Sequence, residues 1–202
     1  YTTISQNTAQ SGGGLATNGN SVFLNHDTFL LNTADVGGAI FASAGDMTIT
    51  DSTIDRNKAQ ALGGGGGVFS TAGLTITGTT ITDNESAGDG GGLKVGSTTA
   101  TTITNSTISG NTASTQGGGI YAVQVNLTIN TSTIDNNKAT TDGGGIFSQD
   151  ATQLAINTSN ITNNEANFGG GVYLTDVTGV TITSTTIATN RANFGGGGLW
   201  AN

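Results

Sequence analysis

The chain has 202 residues with 34 glycines, no proline and no cysteine, and a net charge of −8 from five basic and thirteen acidic residues. Without cysteine there are no disulfides and no thiol chemistry, and so few Lys and Arg give no basic stripe to follow a nucleic-acid backbone or an anionic bilayer. No apolar run approaches a membrane span, and glycine does not recur at every third position, so neither a transmembrane segment nor a collagen strand is expected.

Along the chain, one unit returns with small edits; Ser106–Ala122 (STISGNTASTQGGGIYA) shows it most plainly. Its anchor is an asparagine, at Asn7, Asn32, Asn57, Asn84, Asn111, Asn137, Asn164 and Asn190, in steps of 25, 25, 27, 27, 26, 27 and 26 residues. Three residues before each stands an apolar side chain: Ile4, Phe29, Ile54, Ile81, Ile108, Ile134, Ile161 and Ile187. Two residues after it stands an alanine, such as Ala34 or Ala113; the fourth copy is read as carrying an inserted residue and reaching Ala87. Ahead of the later members of this column lies an alternating pair, such as Met47/Ile49, Leu74/Ile76 and Leu127/Ile129, reduced to Thr101/Ile103 ahead of Ile108. After the glycines comes a third apolar position: Leu15, Ile40, Val68, Leu93, Ile120, Ile146, Val172 and Leu199.

Period-two alternation in short runs rich in Thr and Ile, separated by Gly, Asn and Asp, predicts strands and turns with no helix. A repeat of 25–27 residues with three apolar runs predicts one coil of a solenoid. The expected fold is all-β: a right-handed, single-stranded parallel β-helix, three-sided, of about eight coils, forming one domain over residues 1–202. At roughly 4.8 Å per coil the stack would be about 38 Å long. The chain opens inside a repeat and ends without a polar cap, so it is read as an uncapped piece whose first partner is the remainder of a larger polypeptide.

The columns then take roles. The isoleucines point inward and stack. The asparagines sit at a bend, their amides bonded to backbone or to the next asparagine. The residue between Asn and Ala points outward and reads Thr8, Thr33, Lys58, Glu85, Thr112, Lys138, Glu165 and Arg191, alternating in sign where it is charged. The glycine runs, including residues 63–67, lack the lysine and helix of a phosphate cradle and are assigned to positive-φ turns or close approach between coils.

Candidate chemistry is sparse. His26 is the single histidine, so neither a His-based zinc site nor a repeated catalytic triad can be assembled. Asp51/Asp55 and Asp83/Glu85/Asp89 read as turn residues, and no catalytic residue or cofactor is assigned; a weakly held calcium ion at such a turn is the one metal the composition leaves room for. One outward column suggests binding: Ala16, Phe41, Phe69, Lys94, Tyr121, Phe147, Tyr173 and Trp200. Its six aromatics, Phe41, Phe69, Tyr121, Phe147, Tyr173 and Trp200, form the candidate interaction face, able to stack on sugar rings or on one another. Outward Thr-x-Thr pairs, such as Thr75/Thr77 and Thr102/Thr104, form a second regular array and resemble the ice-binding faces of some antifreeze proteins.

Phe29-Leu30-Leu31-Asn32 matches FxxN and Gly37-Gly38-Ala39-Ile40 matches GGA[ILV]. That pair within one repeat resembles the repeats of chlamydial polymorphic outer-membrane proteins. The other repetitions, with IxxN and GGG[ILV], are similar to the wider group of right-handed β-helix repeat proteins. The resemblance implies a large bacterial surface or secreted protein, several relatives being autotransporter passengers with adhesive roles, and it brings no catalytic residues. The expected function is therefore a structural and adhesive segment of an extracellular or cell-surface protein, with a host or cell-surface protein or glycan as partner and no enzymatic activity. A carbohydrate-binding or ice-binding surface is the alternative, and a polysaccharide lyase or hydrolase module the third reading.

Overall fold

The computed structural model describes residues 1–96 and 99–202. Among these residues the chain forms no helix, and every strand pairs in parallel with its counterpart one repeat away. Each full coil carries four strands. In one coil they are Thr101–Thr104, Thr107–Ser109, Thr112–Ala113 and Ile120–Val123. The first strands stack into a seven-stranded sheet and the second, third and fourth strands into three eight-stranded sheets. The result is a parallel, right-handed β-solenoid of about eight turns.

The three apolar runs become the first, second and fourth strands. The additional third strand comes from residues placed at a bend in the sequence reading. It is mostly two residues long, as in Lys58–Ala59 and Glu85–Ser86, too short for any alternation to show. Single left-handed residues turn the corners. One such column runs through Asp51, Gly78, Asn105, Thr131, Thr158 and Ser184, and another through Leu31, Arg56, Asp83, Gly110, Asn136 and Asn163.

The core is a continuous file of aliphatic side chains. Ile54, Ile81, Ile108, Ile134 and Ile161 are fully buried and aligned rung by rung, with Ile49, Ile76, Ile103, Ile129 and Ile156 beside them. The alanine column faces inward, with Ala34, Ala59, Ala113 and Ala139 buried. The fourth repetition departs from expectation: Ser86, and not Ala87, pairs with Ala59 and Ala113. No residue is inserted before it. A hydroxyl replaces a hydrogen on a side chain of similar size, and Ser86 satisfies it by donating to the Asp89 carbonyl while accepting from the Gly88 amide.

Ser148 shows the opposite outcome. It points inward between Ala122 and Leu174, and its hydroxyl is buried with no hydrogen-bond partner. Ser148→Ala removes that desolvated group at little cost in volume and is expected to stabilise the chain by about 1 kcal/mol. For a chain of this size that is a rise of roughly 2–4 °C in a thermal melt.

The glycines divide the work of the return from third to fourth sheet. Gly117 has φ 65°, so its place is conformational. Gly118 is there for space: a Cβ would lie 2.4 Å from the Gly144 carbonyl oxygen and 2.5 Å from the Lys138 carbonyl carbon in the next coil. The third position of the run lies against the asparagine column of the next coil, and Ala39 fills it in the second repetition, fully buried.

Candidate functional site

The most conspicuous polar column is internal. Asn111, Asn137 and Asn164 are buried, and each is held by its neighbours in the stack. The Asn137 Oδ1 accepts from the Asn111 backbone N–H and from Asn111 Nδ2, both at 3.0 Å. Its own Nδ2 donates to the Ile108 carbonyl at 2.9 Å and to Asn164 Oδ1 at 3.0 Å. The same pattern runs from Asn32 to Asn190. Every amide hydrogen aimed into the wall has an acceptor, which is the condition for placing a primary amide there.

A second internal ladder is built from hydroxyls. Ser52, Thr79, Ser106, Ser132, Ser159 and Thr185 each accept, on the side-chain oxygen, a backbone N–H from the preceding coil, as in Ser106 N–H to Ser132 Oγ at 3.1 Å. The signal was available: each stands five residues before an anchoring asparagine. In a chain this rich in Ser and Thr it does not stand out.

The outward charges pair as their register requires. Lys58 Nζ lies 2.9 Å from Glu85 Oε1, and Glu165 Oε1 is 3.3 Å from both Lys138 Nζ and Arg191. Asp55 is 2.9 Å from Arg56, Asp135 accepts from Thr162 and Asn163, and Asp51 and Asp83 sit at corners in the left-handed region. Among the described residues no three His, Cys, Asp or Glu side chains come together as a metal-binding group. The Thr-x-Thr pairs lie on the first sheet, with Thr48, Thr75, Thr102 and Thr128 in one register and Thr50, Thr77 and Thr104 in the next. Asn130 and then Ala155 and Asn157 interrupt the pattern, and Thr181 and Thr183 resume it in the next coil.

The fourth sheet carries the aromatic column. Phe41 and Phe69 stack with centroids 5.2 Å apart and planes 10° from parallel. Tyr121 and Phe147 stack at 5.0 Å and 5°, and Phe147 and Tyr173 at 5.3 Å and 6°. The separations follow the rung spacing, because the parallel register places each ring over the last. Phe147 points away from the core as period two demands, yet it is only 2% exposed, since the rings of Tyr121 and Tyr173 cover both its faces. Trp200 is paired with Tyr173 along the backbone, but its ring meets Phe168 at 5.7 Å and 52°, and the residue is 37% exposed.

The column is therefore two stacks separated by one coil. In the fourth coil the place of the ring is taken by Lys94, in register with Phe69 on one side and Tyr121 on the other. Its ammonium lies 2.9 Å from Asp89 Oδ2 and 4.9 Å from the centre of the Tyr121 ring. Asp89 also accepts from the Thr115 hydroxyl. Burial first, and the nearby Asp89 carboxylate second, raise the Tyr121 phenol above its ordinary pKa, so it stays a neutral donor through the physiological range. Two residues further along the same strand, the outward position is Gly96. A cavity of about 400 Å³ opens there, lined by Phe69, Thr71, Lys94, Gly96, Tyr121 and Gln124 among others. Period two from Lys94 would have marked Gly96 as outward, but no sequence signal shows that this gap stays open.

The sequence matches the family described as right handed beta helix region over residues 1–108 and again over residues 70–200. Comparisons with curated proteins and with solved structures gave no match. The two overlapping matches span nearly the whole chain and describe the architecture that the four parallel sheets display. The chain belongs to the right-handed β-helix family.

Proposed function

We propose that this β-helix is a structural and adhesive module of a larger bacterial extracellular or cell-surface protein, and that it makes contact through the outward face of its fourth sheet. The observation that carries this reading is the double stack of part-buried rings on that face, interrupted by a cavity at Lys94. Elsewhere the asparagine and Ser/Thr ladders inside, and the Lys58–Glu85 and Lys138–Glu165–Arg191 pairs outside, hold the coils together. The pairing of Glu85 and Glu165 with Lys and Arg supports a non-catalytic role, and the likeness of Phe29–Ile40 to chlamydial surface-protein repeats supports a surface setting. Aromatic faces suit both glycan and protein partners, because a ring offers a large apolar area at small entropic cost.

The reading is checked by coating beads with the purified chain and measuring retention on surfaces bearing immobilised glycans or extracellular glycoproteins. Retention above that of a bovine albumin coating is expected. Tyr121→Ala combined with Tyr173→Ala is expected to cut it at least tenfold, while Thr75→Ala on the first sheet leaves it unchanged. Retention equal to albumin, or indifferent to the tyrosines, overturns the assignment.

A further inference from the structure

The coils protect the asparagines of the ladder and leave another one open. Asn111 Nδ2 donates to the Ile81 carbonyl and to Asn137 Oδ1, both at 3.0 Å, and the N–H of the next residue, Thr112, donates to the Asn84 carbonyl at 2.9 Å. Both the amide and the backbone nitrogen beside it are committed. Asn18 is the opposite case. It is exposed in the turn between the strands Leu15–Thr17 and Val22–Asn25, and of all the asparagines in the chain it alone is followed by glycine.

That dipeptide carries a reaction. The backbone nitrogen after an asparagine can close on the side-chain amide carbon to form a five-membered ring, and a Cβ on the following residue crowds the approach. Gly19 has no Cβ, and one built there would meet nothing within 4 Å, so the surroundings leave the approach open as well. The Gly19 N–H is held only by the Ala44 carbonyl, at 3.3 Å. The amide is oriented from the next coil: the Ser43 hydroxyl donates to Asn18 Oδ1 at 3.0 Å. Negative charge develops on this oxygen when the amide carbon is attacked, so a donor placed there favours the reaction. The leaving nitrogen, Asn18 Nδ2, has no hydrogen-bond partner among the described residues.

We propose that Asn18–Gly19 is a site of spontaneous covalent modification, promoted by Ser43. The Gly19 nitrogen gives up its proton and bonds to Asn18 Cγ. The bond from Cγ to Nδ2 breaks, and that nitrogen takes the proton and leaves as ammonia. The resulting succinimide is then opened by water. Attack at Cγ leaves aspartate; attack at the backbone carbonyl leaves isoaspartate, with the chain running through the side-chain carbon. Either product adds one negative charge to the net −8. Isoaspartate also inserts a methylene into a turn whose Gly19 and Val22 N–H groups bond to the Ala44 and Asp46 carbonyls, so it loosens the docking of this turn on the next coil.

The purified chain is incubated at physiological temperature and followed by peptide mapping with mass spectrometry, the isoaspartyl linkage being located by enzymatic methylation. Asn18 is expected to gain one dalton at least tenfold faster than the exposed Asn20 and Asn105, while the ladder asparagines stay intact. The rate is expected to rise from about pH 6 to about pH 8, because loss of the Gly19 proton starts the reaction. Asn18→Gln, which would have to close a larger ring, is expected to slow the change at least tenfold without moving the melting temperature. Ser43→Ala separates the folded site from the bare dipeptide. It is expected to slow conversion at least threefold in the folded chain and to have no effect in urea, where parent and variant expose the same Asn-Gly. Conversion of Asn18 no faster than that of Asn20 and Asn105 overturns the proposal, and so does folded Ser43→Ala converting as fast as the parent or faster.

Discussion

Ile134→Asp is expected to destabilise the chain by roughly 5 kcal/mol or more. Ile134 is fully buried and stacked between Ile108 and Ile161. Removing its side chain from the core forfeits about 1.5–3 kcal/mol of burial. The carboxyl that replaces it has no partner among aliphatic neighbours, and a buried polar group without a hydrogen bond costs several kcal/mol more, whether it ionises or is forced to stay protonated. A solenoid gives such a defect little to lean on, because each coil is stabilised by its two neighbours alone. The control is Thr133→Asp, one residue away and pointing outward, which should shift the melt only slightly. Circular dichroism on the two variants and on Ile108→Asp reads the result directly. Equal effects at 133 and 134 would mean that the assigned register is wrong.

Asn137→Ala is expected to cost about 3–4 kcal/mol, more than an ordinary loss of one hydrogen bond. The amide of Asn137 is acceptor to the Asn111 backbone N–H and side chain and donor to the Ile108 carbonyl, all buried. Truncation leaves those groups without partners, and each buried unsatisfied group costs about 1–3 kcal/mol. Asn137→Asp separates hydrogen bonding from shape. It keeps the acceptor for Asn111 but turns a second oxygen towards the Ile108 carbonyl, where a donor is required. Protonation of the introduced carboxyl restores a donor, so the folded state binds that proton more tightly than the unfolded chain. The sign follows: the variant is nearest the parent below about pH 4, the ordinary carboxyl range, and loses stability as pH rises from there through the raised folded-state pKa. Urea denaturation at pH 3 and pH 7 measures it. A variant no worse at pH 7 than at pH 3 would show that the ladder is not the closed hydrogen-bond chain described here.

Much of this molecule was legible before any coordinates, for a physical reason. In a coiled stack each residue's neighbour in space lies one repeat away, so long-range contacts become fixed offsets of 25–27 positions that can be counted. The isoleucine column, the asparagine ladder and the Lys58–Glu85 pair all follow from that offset together with period two. The count misleads at Ser86, where the alanine one residue later suggests an insertion and the strand pairing shows none. The third sheet leaves no such trace in the sequence, because its mostly two-residue strands are too short to carry a period.

Direction is local and depth is not. Whether a side chain points in or out is decided by strand alternation, and the sequence alone determined this for the isoleucines, the outward charges and the aromatic column. How much solvent reaches an outward side chain depends on what the coils above and below place beside it. Only the tertiary structure therefore decided that Phe147 is enclosed between two rings, that Trp200 leaves the stack for Phe168, that the Lys94 ammonium lies over the Tyr121 ring, and that a cavity opens at Gly96.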